Sequence, residues 1–307
     1  MISRLYVFRD NASYKAAKSL RMVPIILIMI LLAVAFLFPI FIVFTNSFME
    51  SFEIITRYTH VLRPGNILHA RPQNDVIHFV RLTLIPAFAS FGQYVTLLFD
   101  SPEYLARFWN SVALALPIVI GQAIISAPAA YAFEMTKFRY KEVVYFIYIV
   151  VMLMPLQVAL VPNFLMADMM GLRESRLAII LPGMVNPFGV FIMRQFLRGL
   201  PRDYIEAAQV DGAGHMRVIM LIVAPLFKPA LAALMMLVFV ENWNLVEQPR
   251  IFLDLAQQPL SLYLAQMAQA NLDIIFAASF FYLLPPVLVF LYGQEFMVEG
   301  IQLSGIK

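Results

Sequence analysis

Long apolar runs separated by short polar segments organise this chain. Uncharged stretches extend over Met22 to Phe44, Phe108 to Phe133, Val143 to Ala167, Leu177 to Met193 and Ile274 to Gln294. Most of them approach the ~20 residues that an α-helix needs to cross hydrocarbon. A sixth run, from about Leu226 to Val246, carries Lys228 and Glu241 near its ends, where charges reach an interface or line a cavity. The pattern predicts an all-α, polytopic membrane protein with six transmembrane helices.

One more uncharged piece, Leu82 to Phe99, would raise the count to seven. Loop charge decides between the two. Six spans with a cytoplasmic N-terminus place every lysine, including Lys137, Lys141 and Lys228, and many of the arginines on the inside; seven spans move most of them out, against the bias of cytoplasmic loops toward Lys and Arg. Six spans with both termini cytoplasmic are therefore expected. Leu82 to Phe99, interrupted by Pro86 and Gly92, becomes an interfacial or extracytoplasmic helical piece. Residues 1–21 then form a cytoplasmic N-terminal segment, and 22–307 a transmembrane domain with an outer loop at 45–107 and a cytoplasmic loop at 198–224.

Composition agrees with this picture: 62% of residues are hydrophobic and 13% charged, against roughly 25% charged in soluble domains. Met22 to Phe44 is too long, and too free of a small-residue cleavage site, for a secretory signal, so it is expected to stay as a membrane helix. The absence of cysteine excludes disulfides, thiolate metal sites and cysteine nucleophiles. Membrane orientation accounts for the net charge of +3, and no basic run points to nucleic acid.

The segment Glu206-Ala207-Ala208-Gln209-Val210-Asp211-Gly212-Ala213-Gly214 stands out between two apolar runs. Pro201 and Asp203 suit a helix start. Ala207 and Ala208 favour helix and allow close approach by another protein, and Gly212 and Gly214 permit the left-handed backbone that ends it. A helix from about Pro201, a glycine bend and a second helix toward Pro225 are expected, with Asp211 capping the second helix. In the six-span topology this element is cytoplasmic.

Leu200-Pro201, Glu206-Ala207-Ala208, Asp211-Gly212-Ala213, Pro225 and Pro229 together resemble the signature loop of permease subunits of binding-protein-dependent ABC importers. The Asp-Gly-Ala variant is similar to the sugar and oligosaccharide class, in particular the second permease of the maltose type. Tyr131-Ala132-Phe133, Met154-Pro155, Gly171-Leu172, Arg194-Gln195-Phe196 and Asn242-Trp243-Asn244 extend the resemblance, which covers roughly Ser90 to Lys307. Two departures are Ala224 in place of a usual leucine and an insert at about Ile54 to Ala89.

The resemblance implies a type I ABC importer permease fold in the plasma membrane of a prokaryote. It implies as partners a second permease subunit, an ATPase dimer and an extracytoplasmic solute-binding protein, besides membrane lipid. ATP and Mg would be bound by the partner ATPase, with no cofactor in this chain, which has no G-x-x-x-x-G-K loop. Glu206 would anchor the docking helix on a basic group of the ATPase, Ala207 and Ala208 would give the contact face, and Gly212 the bend beside Asp211 and Ala213.

Polar residues within spans are costly and face cavities or partner helices. Candidates for the solute path are Gln122, Gln157, Asn163, Asn186, Glu241, Asn242 and Asn244, each also suited to interhelical hydrogen bonding. Trp243 could stack on a sugar ring or anchor the membrane interface. Prolines recur in the spans at Pro117, Pro128, Pro155, Pro162, Pro182, Pro187, Pro285 and Pro286 and are expected to kink them. A secondary transporter driven by an ion gradient is the alternative, but the span centres carry almost no charge for ion coupling. H-E-x-x-H and G-x-S-x-G are absent, which argues against a membrane-embedded enzyme. His60, His69 and His78 recur at nine-residue steps, a spacing that no helix or strand brings together.

Overall fold

The computed structural model describes residues 2–62, 84–199, 203–270 and 272–305, and they are helical throughout apart from connecting turns and one isolated bridge. The chain divides into two compact units, Met1–Val95 with Leu272–Phe280 and Thr96–Asn271 with Phe281–Lys307. His69, His78, Leu200, Pro201 and Arg202 lie outside the described residues, as does most of the Ile54 to Ala89 insert.

The first unit holds α1 (Ile2–Asn46), α2 (Ser51–Leu62) and α3 (Gly92–Val95). Residues 22–46 of α1 form an apolar span with none of its window buried inside the chain. Where α1 ends, a polar knot begins. Asn46 donates from Nδ2 to the Tyr58 hydroxyl at 2.9 Å, and Gln93 donates to the carbonyls of Asn46 and Met49 and accepts from the Ala277 amide at 3.2 Å. Glu53, on α2, accepts from the amides of Ala87 (3.1 Å) and Phe88 (3.1 Å) and pairs with Arg57 at 2.8 Å. Partnering makes the buried Gln93 amide and the Glu53 carboxylate tolerable, while Asn46 Oδ1 is buried without a hydrogen-bond partner. Phe44, Phe48, Phe91 and Tyr94 close this knot with edge and tilted ring contacts.

The second unit holds α4 (Pro102–Met135), α5 (Lys141–Met152), α6 (Leu156–Met169), α7 (Leu177–Met184), α8 (Pro187–Arg198), α9 (Asp203–Val210), α10 (His215–Val218), α11 (Ala224–Leu226), α12 (Lys228–Trp243), α13 (Glu247–Phe252) and α14 (Leu260–Ala270); α15 (Ile275–Gly305) ends the described chain. The 34-residue α4 is the axis, packed on α7, α8, α12 and α14. Apolar chains gain little from leaving lipid for protein, so close packing of small residues carries much of the helix association. A Cβ on Gly121 would run into the Met184 side chain, and one on Gly189 into Ser126 and Gln122, so α4 approaches α7 and α8 closely at these two glycines. Trp243 is 1% exposed, stacked on Phe239 and Tyr282 and edged by Phe108, with its Nε1 donating to the Tyr282 carbonyl at 3.2 Å. It is a core residue, neither an interface anchor nor a sugar platform.

Among the described residues four helices are long and apolar enough to cross a membrane, and up to six if each of two bent pairs is one span. The bends correct the expected run from Val143 to Ala167: it breaks at Leu153–Pro155 into α5 and α6, which meet at 101°. Pro155 lacks the amide to continue α5 and disfavours helical angles at Met154. The run from Leu226 likewise breaks at Phe227, ahead of Pro229, with a bend of 79°. Pro117 and Pro128 do not interrupt α4, and Pro285 and Pro286 do not interrupt α15, so proline alone does not mark the breaks. Residues 84–91 are not helical and are followed by the four residues of α3 and the five of a π turn (Thr96–Asp100). So short a helical piece cannot be a seventh span.

Candidate functional site

The expected docking element is a helix, a glycine turn and a second helix. α9 begins with Asp203 and Glu206 in its first turn, where the helix dipole favours carboxylates. Its end is a Schellman motif: the Ala213 amide donates to the Ala208 carbonyl at 2.9 Å and the Gly212 amide to the Gln209 carbonyl at 3.0 Å, with Gly212 at φ +82°. Ala208 and Ala213, joined by that motif, both pack half-buried on the unit's apolar core.

Three sequence expectations change here. Asp211 is the last residue of α9's closing turn, its amide bonded to the Ala207 carbonyl, and does not cap the second helix; Gly214 precedes α10 as N-cap, in extended backbone at φ −71°. Only Gly212 adopts the left-handed conformation, because a Schellman turn needs one such residue. Of the alanine pair, Ala207 is exposed while Ala208 faces inward, so the outward face of α9 is Tyr204, Glu206, Ala207 and Val210 over a buried Ile205. Among the described residues Glu206 makes no ion pair. Val210 is 86% exposed and Met216 60%, apolar surface that the charge-centred reading of the sequence missed.

After α10 the chain makes a π turn (Ile219–Val223) that leads into α11. The loop is gripped from the side by α4. Tyr131, 2% exposed, places its hydroxyl 3.1 Å from His215 Nδ1. One turn further along α4, Glu134 accepts from Arg194 Nε at 3.0 Å and from Arg198 Nε at 3.5 Å, both on α8. Arg194 also reaches Glu142 at 3.2 Å and lies 3.7 Å over the Tyr145 ring. Sequence spacing gave only one hint of this cluster, the Arg-Gln-Phe run, because its acidic members sit at the ends of two other helices.

The proposed path residues do not converge. Gln122, 2% exposed, faces Gly189 and donates to the Asn186 carbonyl at 3.4 Å, while Asn186 Oδ1 caps α8 by accepting from the Phe188 amide at 3.0 Å. Gln157 is exposed and donates to Glu247 at 3.2 Å. Asn242 and Asn244 donate back to the Val238 and Val240 carbonyls at 2.7 Å, and Asn244 Oδ1 accepts from the Tyr282 hydroxyl at 2.6 Å. A polar cavity of about 300 Å³ lies elsewhere, between the end of α6 and the turn after α13, lined by Asp168, Arg173, Glu174 and Asp254 among others. Among the described residues no cluster of His, Asp and Glu is placed to hold a metal ion.

The comparisons with known proteins agree with this architecture. A family profile described as the binding-protein-dependent transport system inner membrane component matches residues 120–300. The arabinooligosaccharides transport system permease protein AraQ of Bacillus subtilis (strain 168) is 28% identical over 289 residues, covering 93% of this chain and 95% of AraQ. The lactose transport system permease protein LacG of Rhizobium radiobacter is 29% identical, covering 65% and 74% respectively. The crystal structure of a bacterial ABC transporter involved in the import of the acidic polysaccharide alginate matches 91% of this chain and 97% of the matched one, with a TM-score of 0.74 at 22% identity, a likeness of fold. The profile takes in α5 to α14 whole, with α9 and the Gly212 turn at their centre: the chain is a membrane protein that belongs to the binding-protein-dependent transport system inner membrane component family.

Proposed function

We propose that this chain is the transmembrane permease subunit of an ATP-driven ABC importer for a sugar or oligosaccharide, docked on its ATPase through α9 and the Gly212 turn. The observation that carries the reading is an exposed, acidic, glycine-ended helix held between apolar helices inside the matched region. Solute class is supported by the relatives: those similar to this chain are named for arabinooligosaccharides, lactose, sn-glycerol 3-phosphate and osmoprotective compounds, and the one matched over nearly its whole length is an oligosaccharide permease.

In this reading α9 and both termini lie in the cytoplasm. Glu206 meets a basic group of the ATPase, and Tyr204, Ala207 and Val210 supply the apolar contact around it. ATP with Mg is bound and hydrolysed by the ATPase dimer, a second permease completes the path, and a solute-binding protein delivers from outside. Rigid-body closure of the ATPase then moves the spans.

Co-purification tests the docking: Glu206→Ala should insert normally and lose most of its associated ATPase, and wild-type recovery with unchanged uptake would refute the anchor. Proteoliposomes test the energy source. Uptake of radiolabelled arabinotriose should need the partner subunits and ATP; uptake by this chain alone, driven by a proton or sodium gradient, would overturn the importer reading.

A further inference from the structure

A docking loop transmits force only as well as its joints are stiff, and the chain leading out of α9 turns twice before it reaches the next long helix. Between the two helices stands Gly212 at φ +82°, and downstream the chain bends by 79° at Phe227 before α12. We infer that Tyr131 of α4 is the brace that bypasses the second bend, tying α10 directly to α4, so that α4 is the first span to move when the loop is displaced. This rests on the docking reading above and names its mechanical output.

The geometry is specific. Tyr131 is buried, with its ring 5.9 Å from that of His215 at an interplanar angle of 65° and its hydroxyl 3.1 Å from Nδ1. His215 opens α10, and α9 is closed onto the same turn by the Ala213 amide on the Ala208 carbonyl. Three residues on, Glu134 holds Arg194 and Arg198 of α8, the helix that precedes the loop. The last turns of α4 therefore grip the helix before the loop and the loop's second arm, and α4 then runs through the centre of the bundle.

Tyr131 is a positioning residue, so its test must read motion separately from assembly. The cysteine-free chain allows a single bimane fluorophore on Ile124→Cys, an exposed position seven residues up α4, in a complex whose partner subunits lack cysteine. The signal is the fluorescence change on adding Mg-ATP with orthovanadate. Tyr131→Phe and His215→Ala should each keep wild-type ATPase recovery and hydrolysis while the change falls about fivefold, the factor given by one ordinary hydrogen bond. The double variant should fall little further. A wild-type change in Tyr131→Phe overturns the brace and leaves the docking reading untouched. Release of the ATPase by Tyr131→Phe also overturns it, because the hydroxyl would then shape the docking surface itself. Glu206→Ala, run in parallel, fails the docking reading if it retains the ATPase.

Discussion

Replacing Arg194 by methionine should cost far more than replacing Glu142, the one of its two carboxylate partners that faces solvent. Its side chain is 2% exposed, and its main partner Glu134 is 13% exposed. Removing the guanidinium leaves Glu134 in a largely dry site with Arg198, a half-exposed partner at 3.5 Å, as the remaining described arginine contact. Breaking a buried pair from one side costs about 3–5 kcal/mol, chiefly for the stranded charge. The Tyr145 contact at 3.7 Å adds to the loss. Glu142 is 70% exposed, so Glu142→Gln should cost about 0–1 kcal/mol. At roughly 2 °C per kcal/mol for a large domain, Arg194→Met should melt about 6–10 °C below wild type and Glu142→Gln within about 2 °C. Arg194→Lys should fall between them, because an ammonium keeps the charge but not the fork that serves two carboxylates. Thermal denaturation of the detergent-solubilised protein, followed by fluorescence-detected gel filtration, gives the three values. If Arg194→Met and Glu142→Gln melt together near wild type, the cluster is not a buried ion pair and its proposed grip on α4 goes with it.

Gly212→Val should weaken ATPase recovery by shifting the loop, since the site has open space around it but a β-branched residue resists φ +82°; pull-down at wild-type yield would contradict this. Gly189→Ala should destabilise by overpacking, about 1–3 kcal/mol, whereas Gly214→Ala, with nothing within 4 Å and φ −71°, should melt as wild type does. For topology, Ser175→Cys should react with an impermeant maleimide added to intact cells and Met216→Cys only after permeabilisation; the opposite labelling would reverse the proposed orientation.

The apolar runs and the Glu-Ala-Ala to Gly212 segment were readable because each depends on local composition: hydropathy over a helix length, and one residue able to adopt positive φ. What was not readable depends on partners distant in sequence. Gln122 and Asn186 look alike as polar residues in spans, yet one fills the gap above Gly189 and the other caps a helix. Asp211 next to glycine suggested a cap, but the Schellman closure of α9 had already committed that residue. Pro155 breaks a helix while Pro128 does not, because only the first coincides with a change of direction set by packing. Tyr131 entered the sequence reading merely as part of a resembling tripeptide, and its bond to His215 spans 84 positions.

Glu53 has a consequence for the history of such chains. Its carboxylate gathers the amides of Ala87 and Phe88, while Met49 and Ala89 form an antiparallel bridge, so the departure and return of the long segment between them are stapled at one point. Closing a loop costs only ~0.6 kcal/mol more for each doubling of its length. With its base fixed by Glu53, the chain between those ends is free to lengthen, shorten or be exchanged without disturbing the helices beneath. Insertion there gives this scaffold a low-cost way to acquire new surface, and the same place should accept an epitope tag.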